Sequence, residues 1–363
     1  MVTGGRVPAP MSRSQIPARA GPGPAEEGGS VPVTAVSDEP SHRRPSVSGR
    51  LSVIMVTYNS AGYVAASLES AERAAARAGL ATELIVVDNA SVDGSAQVVR
   101  RRFPRARLVS NSENLGFGAA NNQAFELARG ELFLLLNPDA LLGEDALVPL
   151  VDFLDSQPLA GAVAPTLDHP WARGPEGCGM RPGVRSMAGH YLFLNRLLPG
   201  DRGGPWRGVM LQRRPHIGPR RVDWLAAAVM LVRREAVGEV EGFDSRFFLY
   251  SEDVDLGERL TSAGWELWLV PESRASHVGG QGRVSARWVD AQHDAYASRA
   301  GRGRVLVFDL VLALGLAPRA LAWRVLGRSG EGRPHADNVV AAARRARRLA
   351  VRTLARVARG RRP

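Results

Sequence analysis

Residues 131–140, ELFLLLNPDA, constrain the chain more than any other stretch. Five consecutive apolar residues, Leu132 to Leu136, leave no polar face, so the segment reads as a strand buried on both sides. Asn137-Pro138-Asp139 ends it, because proline has no amide hydrogen to give to a central ladder. Asp139 is thereby delivered to the carboxyl end of a buried strand, the edge at which open α/β sheets take their ligands. Asn-Pro-Asp is also ordinary turn chemistry, so the neighbouring segments have to decide between a turn and a site.

They repeat the same plan. Leu51 to Thr57 is an apolar strand stopped by Tyr58-Asn59-Ser60, with Ser60 placed to cap a helix running to about Ala78. Glu83 to Asp88 is a second apolar strand that ends on an acid and leads through residues 89–95 (NASVDGS) into another helix. Leu108-Val109 forms a short third strand, and residues 114–122 (NLGFGAANN) open a helix to Arg129. A helix over about 144–156 and a strand near 161–165 complete this half. Alternating strands and helices with short links predict right-handed crossovers and a parallel sheet, with the polar loops gathered at one edge.

Those loops suit a nucleotide. Asp88 can accept the imide N–H of a uracil or thymine base, Thr57, Tyr58 and Asn59 can flank it, and Gly116 and Gly118 would let backbone approach a ribose or diphosphate. No G-x-G-x-x-G follows the first strand and no GK[ST] occurs, which removes support from dinucleotide and P-loop readings.

From Asp168 to Arg220 the chain is rich in Gly, Pro and Arg, with Trp171, Tyr191, Phe193 and Trp206 scattered through it. Periodicity assigns no secondary structure here, and an insertion this long is expected to be a binding loop or lid serving the acceptor. Residues 221–233 resume as a strand or other buried element. Then Phe247-Phe248-Leu249-Tyr250 runs into Glu252, Asp253 and Asp255 at the start of a helix over Val254–Ala263. The helix dipole alone favours acids there. An apolar stretch delivering them is a second matter, since apolar walls raise a carboxyl pKa toward a base's working range. A short strand over 265–270 follows, and His277 falls in a glycine-flanked loop, where a lone histidine is more often structural than a ligand.

The 363 residues carry a formal charge of +11, which resembles a nucleic-acid signal until it is located. Sixteen arginines from Arg299 onward face only Asp309, Glu331 and Asp337, giving this tail +13 and leaving −2 for the first 298 residues. The body is therefore near neutral, and no nucleic-acid partner is expected. Asp337 is read as the cap of a final helix whose Arg345, Arg348, Arg352, Arg356 and Arg359 oppose Val340, Ala343, Ala350, Leu354 and Val357. Such a basic amphipathic helix points to an anionic membrane surface or, equally, to a solvated or partner-docking helix. Residues 305–326 are apolar but interrupted by Asp309, Pro318, Arg319 and Arg324, so no run reaches the ~20 residues of a bilayer span. Residues 1–49, rich in Pro, Gly and Ser, read as disordered, and no secretory signal is evident. One cysteine, Cys178, excludes an intramolecular disulfide and fits a reducing compartment, and the absence of any Lys excludes a Schiff-base or Walker lysine. The expected division is 1–49 as a tail, 50–298 as an α/β domain, and 299–363 as an Arg-rich helical extension.

Taken together, residues 57–60 (TYNS), 87–95 (VDNASVDGS), 114–122, 136–139 (LNPD) and 247–256 (FFLYSEDVDL) resemble the family 2 glycosyltransferases, most of all the bacterial branch containing rhamnosyltransferases. The likeness spans about Leu51 to Gly280. It implies a GT-A fold, a Rossmann-like α/β architecture with a mostly parallel central sheet, and inverting transfer of a sugar from a nucleoside diphosphate. By that likeness the donor lies against Thr57, Tyr58, Asn59, Asp88, Asn89, Asn114, Gly116 and Asn137. Asp139 would stand where the last acid of D-x-D binds Mg²⁺ or Mn²⁺, with His277 at a position that ligates the metal in some relatives. Asp253, beside Glu252, matches the catalytic base. Two residues depart from the family: Asn137 replaces the first acid of D-x-D, and Ala226 replaces a frequent Gly. The implied donor is dTDP-L-rhamnose or a related sugar nucleotide. The implied acceptor is a cell-envelope glycan, carried on a polyprenyl diphosphate at the cytoplasmic face of the membrane. A non-catalytic sugar-nucleotide-binding or scaffold protein of the same fold is the competing expectation, motivated by Asn137.

Overall fold

The computed structural model describes residues 50–168, 177–194, 218–278, 285–326 and 333–360. The tail over 1–49 and most of the 168–220 insertion, Trp171 and Trp206 included, lie outside them.

The first half follows the alternating plan. β1 (Arg50–Thr57), α1 (Val64–Arg77), β2 (Ala81–Asp88), α2 (Ser95–Arg102), β3 (Arg107–Ser110), α3 (Phe117–Leu127) and β4 (Leu132–Leu136) succeed one another. β3, β2, β1 and β4 pair in that order, all parallel. Every residue of β4 is buried, as an unbroken apolar run requires. Alternate residues feed opposite faces: Leu132, Leu134 and Leu136 join the core under α1 and α4 (Leu147–Ser156), while Phe133 and Leu135 join the core under α3. Ser60 does not cap α1 through its side chain. Its carbonyl accepts from the Tyr63 and Val64 amides, while its hydroxyl donates to the Tyr58 carbonyl.

Beyond β4 the sheet turns mixed. Directly after Asp139 comes a strand that periodicity missed, β5 (Ala140–Leu142), followed by α4 and β6 (Ala160–Asp168). The 168–220 insertion contributes β7 (Cys178–Gly179) and α5 (Val184–Tyr191). Residues 221–233 resolve into three short strands, β8 (Arg220–Val222), β9 (Trp224–Leu225) and β10 (Val229–Arg233). β10 inserts antiparallel between β4 and β6, so the sheet is mostly rather than wholly parallel. After α6 (Arg234–Glu239) and α7 (Glu252–Ser262), β11 (Glu266–His277) extends well past the expected strand over 265–270. It pairs parallel with β6 from Glu266 to Ser276, with register shifts on the way, and its last residues also pair antiparallel with β5, His277 opposite Ala140. His277 thus ends a strand instead of sitting in a loop, and that pairing carries it to Asp139.

Three helices follow: α8 (Ala286–Ala297), which sequence reading missed, α9 (Arg302–Leu326) and α10 (Arg333–Ala358). With α5 they enclose a separate cluster of Met187, Tyr191, Val289, Phe308, Leu312, Leu316, Ala342, Ala346 and Leu349. A buried polar triad crosses it: Asp309 joins His293 Nδ1 at 2.8 Å and accepts from Thr353 Oγ1 at 2.7 Å. The Asp309 carboxylate holds the His293 imidazole above its ordinary pKa, more than burial lowers it.

Two features of the tail differ from expectation. α10 begins before Asp337, which lies inside it and exposed, so it is no cap. Its buried residues include Val339, Ala342, Ala346, Leu349 and Thr353; of the expected apolar face Ala350 is buried, while Leu354 and Val357 are exposed, because packing on α9 rather than the position of the arginines orients the helix. Second, α9 is continuous through Pro318 and, by length and composition alone, is apolar and long enough to cross a membrane. An interior proline costs a helix ~3 kcal/mol. The packing of Phe308, Leu312 and Leu316 offsets this.

Candidate functional site

The loops at the carboxyl ends of β1, β2 and β4 meet in a cleft of about 360 Å³. Tyr58, Asn59, Tyr63, Asn89, Asn114, Gly116, Asn137, Asp139, Phe248 and Leu249 are among its walls. The structure therefore assembles most of the residues singled out in the sequence. Thr57 and Asp88 are not on the lining: they are paired neighbours at the ends of β1 and β2, both buried behind it. Thr57 Oγ1 and Asp88 Oδ1 have no hydrogen-bond partner among the described residues, while Asp88 Oδ2 accepts from the Ser91 amide at 3.2 Å. Buried polar atoms without partners are rare enough to mark a place where a ligand's donors belong.

Asn89 organises the rim. Its Nδ2 donates to Asn114 Oδ1 (2.8 Å) and to the Gly116 carbonyl (3.1 Å). Its Oδ1 accepts from Asn111 Nδ2 (3.1 Å) and the Leu115 amide (3.0 Å). Its side chain is thereby committed to holding the 111–116 loop. Across the cleft, Asn59 Oδ1 accepts from the Val92 amide at 2.9 Å, so the first two loops brace each other.

The glycines serve differently from expectation. Gly116 has φ +90°, and a Cβ there would lie 2.6 Å from the Phe248 carbonyl oxygen, which also accepts from the Phe117 amide at 3.0 Å. A Cβ on Gly118 would meet Phe243 Cβ at 3.0 Å. What approaches these positions is the 243–248 loop of the same chain, and their smallness lets that loop close the cleft. Asn122 secures it from below through paired bonds to the Phe243 backbone, both 2.8 Å.

At the floor, the Asp139–His277 pair is formed as the sheet dictates. His277 Nε2 lies 3.0 Å from Asp139 Oδ1 and 3.5 Å from Asn137 Nδ2, and the Val278 amide donates to the Asp139 carbonyl at 3.0 Å. Nothing in the local sequence around His277 announces this, because the partner strand is more than a hundred residues away.

Glu252 and Asp253 open α7 directly after the closing loop. The turn that delivers them is strained: Tyr250 and Ser251 both have positive φ, +73° and +69°, where non-glycine residues seldom sit. Burial lifts both carboxyls above the usual range, Asp253 to about 6 and Glu252 to about 8, with the Asp253 charge adding to the Glu252 rise. Two carboxyls this close titrate as a pair, so at neutral pH they share one proton and keep one negative charge, which a general base needs.

Gln292 of α8 also reaches this turn, and sequence reading did not single it out. Its Nε2 donates to Ser251 Oγ at 2.8 Å, with both residues buried. A polar residue in an unpredicted helix carries no sequence signal of this, but its bond falls on the strained turn. Gln292→Leu is expected to lower kcat about tenfold, the effect of losing about 1.4 kcal/mol of positioning, with the donor KM unchanged. Steady-state kinetics check this. An equal change in both parameters, or none, would show the bond to be merely structural.

Comparison with known proteins agrees with this geometry. Residues 52–217 match the model of glycosyl transferase family 2. The N-acetylglucosaminyl-diphospho-decaprenol L-rhamnosyltransferase of Mycobacterium tuberculosis is 35% identical over 265 residues, covering 67% of this chain and 81% of that protein. Rhamnosyltransferase WbbL of Escherichia coli is 28% identical over 172 residues, 45% of this chain and 60% of that one. Among solved structures, the mannosyltransferase PcManGT of Pyrobaculum calidifontis, in complex with GDP-Man and Mn2+, has a TM-score of 0.50 at 20% identity, covering 85% and 90% of the two chains, and shares the fold. A GT-A sheet, a cleft at its carboxyl edge and a relative this close over four fifths of its length converge on one conclusion: the chain belongs to glycosyl transferase family 2, in its rhamnosyltransferase-like branch, and is a glycosyltransferase.

Proposed function

We propose that this enzyme transfers L-rhamnose from dTDP-L-rhamnose, with inversion, to a hydroxyl of a glycan carried on a polyprenyl diphosphate. The observation that carries the reading is the 35% identity to a transferase named for that sugar and that class of acceptor. The cleft supports it. Asp88 Oδ1, a buried acceptor without a partner among the described residues, suits the imide N–H of thymine, beside Thr57, Tyr58 and Asn59. Asn114 and Gly116 face the ribose, and Asn137 and Asp139 the diphosphate.

Asp139 and His277 fit a divalent cation: a carboxylate oxygen and an imidazole nitrogen 3.0 Å apart face one another at the cleft floor. No group of three or more His, Cys, Asp or Glu suited to a metal occurs among the described residues, so oxygens of the diphosphate would complete the shell, as Mg²⁺ and Mn²⁺ accept. The bound ion would offset charge on the departing diphosphate. Asp253, ionised, takes the proton of the attacking acceptor hydroxyl, and protonated Glu252 keeps a second negative charge away from it.

An adjoining cleft of about 520 Å³ shares the Phe248–Leu249 wall and adds Phe247, Tyr250, Arg287, Asp290 and Asp294. Aromatic faces beside charged hydroxyl partners suit an acceptor sugar. The enzyme acts in the cytoplasm, at the inner face of the membrane that carries the acceptor, and the lone buried Cys178 fits that reducing compartment.

Isothermal titration with dTDP-rhamnose, UDP-galactose, UDP-N-acetylglucosamine and GDP-mannose, with and without Mn²⁺, tests the donor. Metal-dependent preference for the thymidine donor is expected. Tighter binding of another donor would overturn the assignment of rhamnose.

A further inference from the structure

α9 has two apolar faces, and only one is used. Val305, Phe308, Val311, Leu312, Leu316 and Ala320 are buried in the helical cluster. Val307, Leu310, Leu314, Leu321 and Val325 recur at three-, four- and seven-residue spacings, which puts them in one stripe along the opposite side, each between 41% and 65% exposed. The stripe runs about 27 Å along the helix at 1.5 Å per residue. A contiguous exposed apolar row of this length is uncommon on a protein surface and marks an interaction site.

We infer that this stripe is a membrane-docking face, and that α9 lies in the plane of an anionic bilayer surface with these side chains in the acyl boundary. The inference rests on the lipid-linked acceptor proposed above and adds the surface that meets the lipid. Charge selects the occupant. Arg304 and Arg324 stand exposed near the two ends of the stripe, and α10 adds exposed Arg344, Arg347, Arg348, Arg352 and Arg356. The acids of the two helices are Asp337 and Asp309, and the latter is buried with His293 and Thr353. A surface with that excess is drawn to anionic headgroups and repelled by a second copy of itself.

The buried face also decides between lying and spanning. For α9 to cross the bilayer, Phe308, Leu312 and Leu316 would leave the core and Asp309 would lose both partners. Apolar insertion on one side with packing on the other fits a helix at the interface.

Flotation of the full chain with vesicles tests this, using phosphatidylcholine alone and phosphatidylcholine mixed with phosphatidylglycerol. The wild type is expected to float with the anionic vesicles and far less with the neutral ones. The double variant Leu314→Glu/Leu321→Glu, at exposed positions and with an unchanged melting curve, is expected to bind at least about tenfold more weakly. It should keep its rate on a short-chain, water-soluble acceptor and lose rate only on a long-chain acceptor presented in vesicles. Equal flotation of wild type and variant would overturn the docking face, as would failure of the wild type to float. Sedimentation equilibrium showing a dimer that the variant abolishes would reassign the stripe to self-association. Stripe-dependent flotation without transfer from any donor would leave the docking face standing and sink the proposed function instead.

Discussion

Asp253→Asn is expected to abolish sugar transfer, lowering kcat by about a hundredfold to ten-thousandfold, while donor affinity stays as in the wild type. The amide is the same size and can still accept the Val254 amide hydrogen bond, which Asp253 Oδ1 receives at 2.8 Å, so the start of α7 is preserved. Only the ability to take a proton is lost. The pH profile gives an independent reading. Burial raises Asp253 to about 6, and a base works only when ionised, so kcat/KM should climb with pH through about 6 and fall away below it. Glu252→Gln removes the second carboxyl of the pair and cannot take a proton in its place, so with Asp253 as the base this variant should keep the acidic limb. If Glu252→Gln were inactive and Asp253→Asn active, the two roles would be exchanged. If both kept full rate, neither residue would be the base.

What could be read from the sequence follows from where the signal is stored. β4 was legible to the residue because a strand buried on both faces has an unbroken apolar run and Pro138 fixes its end. The loops after β1, β2 and β4 converge because parallel connections force them to. β5, α8 and the antiparallel placement of β10 were not legible, since short strands, helices of mixed periodicity and strand direction are set by partners distant in the chain. His277 shows the consequence: read locally it is a loop residue, and only the β5–β11 pairing brings it to Asp139. Gly116 shows the converse, where sequence identifies a residue that must be small but not that Phe248 is the neighbour requiring it. The tail went astray for one reason. The arginines do not mark the outer side of α10, because the helical cluster chooses its buried face, and two of the charges that interrupt α9 are accommodated by packing: Asp309 is buried with His293 and Thr353, and Arg319 donates to the Tyr191 and Gly315 carbonyls.

The second large effect is expected at Asp139, and it turns on Asn137. Asp139 Oδ1 contacts His277 Nε2 at 3.0 Å, and Asn137 Nδ2 faces the same imidazole nitrogen at 3.5 Å. With an amide at 137 instead of an acid, a cation held by Asp139 and His277 would depend more on the diphosphate. Asp139→Asn removes the remaining protein anion and should lower transfer about a hundredfold or more, the usual loss when charge stabilisation of a leaving group is removed. Binding reports it separately from turnover. With dTDP present, Mn²⁺ bound to the wild type is measurable by electron paramagnetic resonance, and the Asp139→Asn protein should hold it at least about tenfold more weakly. The reverse change is the sharper test. Asn137→Asp adds a carboxylate facing His277 and should tighten Mn²⁺ about tenfold, most visibly without nucleotide, where the present pair has only two side chains to offer. If donor binding and turnover in the wild type were the same with a chelator as with Mn²⁺, and Asn137→Asp bound the ion no better, Asp139 and His277 would be a structural pair joining β4 to β11. The leaving group would then have to be stabilised by cations of the chain itself.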